Sequence, residues 1–212
     1  MSFRKRLVQL DVDSTFIQQE AIELLATKAG VLEEVARITD SAMRGELDFA
    51  QSLIARVALL QGLSSDVIDE VRDEIKLTDG ASALVKTLHS KGHCVALVSG
   101  GFASIMQPIV DELNIDYFRA NTLEIQDGVL TGKVVGTIID RAAKAEALKE
   151  FALDCQVELK DTVAIGDGAN DLDMMAIAGI SIAFNAKPIV AQAADFTIKE
   201  PSLASVPTLI GI

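Results

Sequence analysis

Three apolar runs in this chain stop abruptly at polar residues fit for chemistry, and that recurrence restricts the fold more than any other feature. Leu7, Val8 and Leu10 lead into Asp11-Val12-Asp13-Ser14-Thr15. Cys94 to Val98 runs into Ser99-Gly100-Gly101. Thr162 to Ile165 runs into Gly166-Asp167-Gly168-Ala169-Asn170-Asp171. Short buried strands alternating with helical segments imply a parallel sheet. Open α/β sheets bind ligands outside the carboxyl ends of their strands, so parallel pairing turns all three polar ends toward one crevice. Half of the residues are hydrophobic and Trp is absent. A core of Ala, Val, Ile and Leu suits strands covered by helices on both faces.

The strand expected over residues 5–10 is followed by a long helical stretch, from about Gln18 to Lys76. Ile22, Leu25 and Ala26, and later Leu53, Ile54 and Val57, recur at helical spacing. Gly30, Gly45 and Gly62 divide the stretch into short helices, and Ser64 or Ser65 is the expected cap of the last. Beyond it, helices are expected over residues 81–91, 102–113 and 141–151. Strands are expected over 94–98, 162–165, 181–184 and 196–198. Residues 123–131 read as a hairpin turning at Asp127-Gly128. The expected fold class is therefore α/β: a Rossmann-like parallel sheet core flanked by helices, formed by residues 1–17 and 77–212. A small helical cap domain, residues 18–76, is inserted after the first strand.

At the strand ends, Asp11 can act as a nucleophile, and Asp13 is near enough to share a metal and handle a proton. Asp11, Asp13 and Asp167 are oxygen donors, which hard cations such as Mg²⁺ prefer. Ser99-Gly100-Gly101 offers a hydroxyl and unhindered backbone N–H groups at an expected helix start, a ready anion site. A carboxylate attacking a phosphate meets repulsion of about 4 kcal/mol per charge pair at ~4 Å and an effective dielectric near 20, so compensating cations are needed. Lys144, one turn past Asp140, is a candidate, although spacing alone favours a solvated helix face. Phe49, Leu53, Arg56 and Leu60 share one helix face. Arg56 there either snorkels to water or holds a carboxylate in a bidentate bond. Glu20 either receives an ammonium or simply suits the first turn of a helix.

The formal net charge is −12 and no basic run interrupts it. Stripping a polyanion of its counterions takes a clustered basic surface, so nucleic acid is not an expected partner. Cys94 and Cys155 are read as separate small buried groups, without zinc-ligand spacing. His89 and His93 are read as solvated. The chain shows no signal peptide and no apolar run long enough to span a bilayer, so a cytoplasmic protein without a membrane partner is expected. Nothing in the sequence sets an oligomeric state.

Taken in order, Asp11-Val12-Asp13-Ser14-Thr15, Ser99-Gly100-Gly101-Phe102, Lys144 and Gly166-Asp167-Gly168-Ala169-Asn170-Asp171 resemble the four motifs of the haloacid dehalogenase superfamily. The resemblance runs nearly end to end and includes the cap and Ala186-Lys187-Pro188. It implies Mg²⁺-dependent hydrolysis of a small phosphate monoester, L-phosphoserine, to serine and phosphate, the last step of serine biosynthesis. It implies that Asp11 becomes a phosphoaspartate and that Asp13 is the general acid and base. It implies Mg²⁺ on Asp11, Asp167 and the Asp13 backbone carbonyl, with Asp171 supporting them. Ser99, Gly100 and Lys144 would bind phosphoryl oxygens and Asn170 would position the phosphate. Glu20 and Arg56 would grip the ammonium and carboxylate, with Met43 and Phe49 shaping the pocket. Leu10 and Phe16 depart from the family's usual residues without supplying a reacting group. Three rivals use similar acids: a phosphotransferase to an alcohol such as homoserine, a phosphatase of another small phosphorylated metabolite, and a receiver module that keeps its phosphoryl group.

Overall fold

The computed structural model describes residues 4–212. One seven-stranded sheet runs through it in the order β4-β3-β2-β1-β5-β6-β7. β1 (Leu7–Asp11) lies at its centre, paired in parallel with β2 (Cys94–Phe102) and β5 (Thr162–Gly166). β3 (Tyr117–Gln126) extends the sheet beyond β2 in parallel and turns back through an antiparallel hairpin into β4 (Val129–Val135). On the other side β6 (Ile180–Phe184) and β7 (Phe196–Ile198) continue in parallel. The chain grows outward from β1 to β4 and then returns to the opposite side of β1. This reversal creates the crevice where doubly wound sheets bind ligands. The expected α/β class holds.

Side chains on alternate residues of a strand point to opposite faces, so Val8 and Leu10 join one core and Leu7 joins another. On the first face lie α5 (Ala81–Ser90), α6 (Ala103–Leu113) and α10 (Val206–Leu209), with Leu84, Leu88, Met106 and Val206 in the core. On the second face lie α7 (Arg141–Asp154), α8 (Leu172–Ile177) and α9 (Pro188–Ala193), with Leu148, Phe151, Met174 and Val190 packed there.

Four helices occupy the stretch after the first strand: α1 (Ala21–Ala29), α2 (Leu32–Met43), α3 (Phe49–Ala58) and α4 (Val67–Glu74). Asp48 starts α3 with a capping box: its side chain accepts from Gln51 N at 2.7 Å, and Gln51 Oε1 accepts from Asp48 N at 3.1 Å. A third apolar cluster joins Leu25, Val35, Leu53, Val57 and Val71 to Phe102, Ile105, Leu123 and Leu130. The helices thus rest on the start of α6 and the β3–β4 hairpin. The chain leaves and re-enters side by side: Gln18 N donates to Lys76 O at 2.9 Å and Thr78 N donates to Phe16 O at 2.9 Å.

Several local expectations are corrected. Cys94 and Cys155 are not separate buried groups but form a disulfide, with Cα atoms 6.6 Å apart. They are 61 residues apart in sequence, and only the seating of α7 against β2 brings them together. His93 is buried at 4 % exposure, with its Nδ1 accepting from Arg6 N at 3.0 Å. It follows the turn at Gly92 and immediately precedes β2, an inner strand of the sheet. His89 faces outward to Asp116 at 2.9 Å. The last helix of the inserted stretch starts after Asp66; Ser64 Oγ accepts from Asp66 N at 3.3 Å instead of capping the helix. Ser99-Gly100-Gly101 lies in the irregular end of β2, and α6 begins only at Ala103. Among the described residues no helix is long and apolar enough to cross a membrane.

Candidate active site

The three central strands deliver their polar ends to one place. Asp11 pairs in register with Val98, so Ser99 stands one step beyond it on β2, and Gly166-Asp167 ends β5 on the other side. α7 supplies the fourth element. Asp140 accepts from Ala143 N at 2.9 Å and so sets where α7 begins. That start places Lys144 in the first turn, over the sheet.

Lys144 is completely buried and pairs with two carboxylates, Asp11 Oδ1 and, at 2.7 Å, Asp171 Oδ1. It is therefore no solvated helix residue. Burial alone would lower its pKa, but the Asp11 and Asp171 carboxylates reverse that and hold it above the usual lysine range. Asp171 Oδ2 accepts the N–H groups of Asp167, at 3.1 Å, and Gly168, at 3.0 Å. Both of its oxygens are engaged, so it braces Lys144 and the Asp167 loop together.

Asp13 is oriented from two sides: Oδ1 accepts from Ala21 N at 2.8 Å, and Oδ2 accepts from Ser99 Oγ at 2.8 Å. Ser99 Oγ in turn accepts from Gly101 N at 2.7 Å. The turn through Ser14 takes a left-handed conformation, φ 58°, and carries Asp13 back over the strand end. A Cβ on Gly101 would lie 2.6 Å from Asp13 Oδ2, and one on Gly100 would lie 2.7 Å from Phe49 Cζ. A side chain at either position would push aside the Phe49 ring or the Asp13 carboxylate.

These groups open into a cavity of about 690 Å³. Asp11, Asp13, Asp167, Asn170 and Gly100 line it together with Glu20, Met43, Phe49 and Arg56. Glu20 Oε1 accepts from Ser14 Oγ at 2.6 Å. Burial, and next the Asp13 charge, push Glu20 up to about 7. Arg56 Nε donates to Ser52 O at 3.2 Å along its own helix. Among the described residues no carboxylate closes a salt bridge with Arg56, whose pKa burial lowers. The residue pattern assigned no role to three further groups. Arg141 and Lys187 line the cavity; Arg141 shares a helix face with Lys144 at spacing three, a signal that was available. Asn121 joins two loops, donating to Gly100 O and accepting from Ile139 N, each at 2.8 Å; nothing local in the sequence announces it.

Oxygen atoms of Asp11, Asp167 and Asp171 lie within 4.8 Å of one another. Burial first, and then neighbouring carboxylates, push Asp11 well above the usual carboxylate range despite Lys144. Burial and Asp171 push Asp167 to about 6. Buried carboxylates at this separation fit a hard divalent cation by donor chemistry and by their excess of negative charge. A pH dependence follows. Asp11, Asp167 and Glu20 bind protons more tightly folded than unfolded, so without a divalent cation their contribution to stability is full at low pH. It is lost as pH rises from the ordinary carboxylate range through about 6 and about 7. Added Mg²⁺ should therefore raise Tm by several degrees near pH 8 and by much less near pH 5, roughly as ligand linkage requires. Thermal melts with and without chelator check this; an equal response at both pH values would contradict the cation site.

A family model described as haloacid dehalogenase-like hydrolase matches residues 8–176. The chain belongs to this family. As a haloacid dehalogenase-like hydrolase it is 55% identical to a phosphoserine phosphatase of Streptomyces coelicolor, over 98% of this chain and 51% of that protein. It is 48% identical to the phosphoserine phosphatase of Lactococcus lactis, over 95% of this chain and 94% of that protein. The chain spans about half the length of the Streptomyces relative and of a similar one from Mycobacterium tuberculosis, 51% of each. Among solved structures, this haloacid dehalogenase-like hydrolase matches a phospho-aspartyl intermediate analogue of phosphoserine phosphatase with a TM-score of 0.91. Identity is 43%, covering 97% of this chain and 99% of that one. It matches a substrate-bound phosphoserine phosphatase complex with a TM-score of 0.92, at 42% identity over 97% and 98%.

Proposed function

We propose that this chain hydrolyses L-phosphoserine to L-serine and phosphate through a phosphoaspartate on Asp11. The observation that carries this is the cavity's lining: Asp11, paired with the buried Lys144, shares it with an arginine and a glutamate. A phosphate ester of an amino acid presents three charged groups, and this lining complements all three. The relatives named phosphoserine phosphatase support the same substrate.

In the first step an Asp11 carboxylate oxygen attacks phosphorus, and the bond from phosphorus to the seryl oxygen breaks. Asp13 gives its proton to that oxygen, so serine leaves as the neutral alcohol. In the second step Asp13 takes a proton from water as the water oxygen attacks phosphorus, which frees Asp11 and releases phosphate. Splitting the displacement in this way is covalent catalysis. Ser99 Oγ, the Gly100 N–H and Lys144 hold phosphoryl oxygens, and Asn170 orients the group. Asp11, Asp167 and the Asp13 carbonyl would hold Mg²⁺, which would supply positive charge against the phosphoryl oxygens when bound. Residues 18–76 serve as a cap over the core of residues 1–17 and 77–212, and bulk water is excluded there. Met43 and Phe49 form the apolar wall beside the substrate.

Arg56→Ala separates this substrate from others. It should lower kcat/KM for phosphoserine by about 100-fold or more, the loss of a charge-assisted bidentate contact. O-phosphoethanolamine, which lacks the carboxylate, should lose less than about fivefold on the same comparison. Steady phosphate release from both esters, with Mg²⁺, measures it. Equal losses would remove the carboxylate-reading role of Arg56. Transfer to an added alcohol in place of water would identify the phosphotransferase alternative.

A further inference from the structure

Gln9 sits in the middle of β1, completely buried, two residues before Asp11 and on the same face of the sheet. In register it stands between Ala96 of β2 and Ala164 of β5. These two small side chains leave the space that its longer one fills beneath α7. Its Nε2 donates to the backbone carbonyl of Lys144 at 3.1 Å and to Met174 Sδ at 3.2 Å. Among the described residues its Oε1 meets no partner. The amide cannot simply be reversed, because Oε1 would then face the Lys144 carbonyl, acceptor against acceptor.

A buried carbonyl oxygen without a donor costs stability. An unbranched apolar side chain of the same length would fill the space without that cost. Stability therefore does not account for a glutamine at this position. What the amide does provide is a directional link between the nucleophile's own strand and the residue that carries the ammonium. Beside the Lys144–Asp11 pair that it would align and the Cys94–Cys155 disulfide at the far end of the helix, the α7 contact through Ala145, Ala147 and Leu148 is apolar and non-directional.

We propose that Gln9 is a positioning residue for Lys144. It holds the first turn of α7 at a set distance from β1, so that the Lys144 ammonium meets Asp11, Asp171 and an incoming phosphoryl group together. This inference rests on the phosphate-ester reading given above. The demand is strict because displacement of a catalytic group by about 1 Å can cost ~100-fold in rate.

Gln9→Met tests it, since methionine keeps the length and shape but donates no hydrogen bond. A second variant, Gln9→Leu, guards against a new contact between methionine and Met174. Both should lower kcat for L-phosphoserine by about tenfold while KM changes less than about threefold, the signature of an interaction made in the transition state. Tm should equal or exceed that of the unaltered protein. A kcat within about twofold of the unaltered protein overturns the proposal. So does a loss of kcat accompanied by a fall in Tm, which marks a packing defect. If the unaltered protein releases no phosphate from phosphoserine, the substrate assignment fails by itself. The same variants compared on p-nitrophenyl phosphate then still decide the role of Gln9.

Discussion

Asp11→Asn should abolish phosphoserine turnover, lowering kcat by at least about 10⁴-fold, in the range seen when a covalent nucleophile is removed. Asparagine has the same shape, but its amide does not attack phosphorus. The protein should nevertheless stay folded. Asp11 is only 4 % exposed and lies among Asp13, Asp167 and Asp171, whose charges oppose its own. Removing its charge relieves that repulsion, and Lys144 keeps its partner Asp171 at 2.7 Å. Stopped-flow or quenched assays with phosphoserine should detect a hydroxylamine-sensitive phosphoenzyme in the unaltered protein and none in the variant. Turnover of the variant within about tenfold of normal would exclude Asp11 as nucleophile.

Lys144→Ala should have an effect of similar size on activity and, unlike Asp11→Asn, a large one on stability. Lys144 has no exposed surface, and its ammonium lies between the Asp11 and Asp171 carboxylates. Breaking a buried charge network by removing one partner costs about 3–5 kcal/mol, because the remaining charges stay desolvated and unpaired. Here two carboxylates would be left facing each other. The variant should therefore melt well below the unaltered protein near neutral pH. Mg²⁺, or acid sufficient to protonate one of the pair, should restore part of the loss. Melts at several pH values with and without Mg²⁺, beside steady-state assays, measure both effects. An unchanged Tm in chelator at neutral pH would show that no buried charge depends on Lys144.

The patterns legible along the chain were local ones. Asp11, Ser99 and Asp167 each end an apolar run, and a parallel sheet must carry such ends to one edge. The glycines at 30, 45 and 62 divide the helical stretch because their positive φ angles (70°, 78° and 88°) are readily adopted without a Cβ. Lys144 was harder. Its spacing alone favours a solvated face, and only the resemblance to a family favoured the site. The helix start set by Asp140 and the docking of α7 on β1 settle its burial. Asn121 carries no local signal and Lys187 only its place in the Ala186-Lys187-Pro188 segment, since each matters through a loop distant in sequence that it touches or lines.

Residue order by itself determined the strand and helix alternation and the carboxyl-edge acids, and from these the hard-cation chemistry was proposed. Those properties depend on spacings of two, three or four residues, where side-chain direction follows from the local backbone. The tertiary structure alone decided which distant groups meet. It brought Lys144 to Asp11 across 133 residues, joined Cys94 to Cys155, buried His93 just before a strand start, and set the Gln9 amide against the carbonyl of Lys144. Each of these depends on how helices seat on a sheet. Seating depends on the summed packing of many side chains rather than on any local spacing.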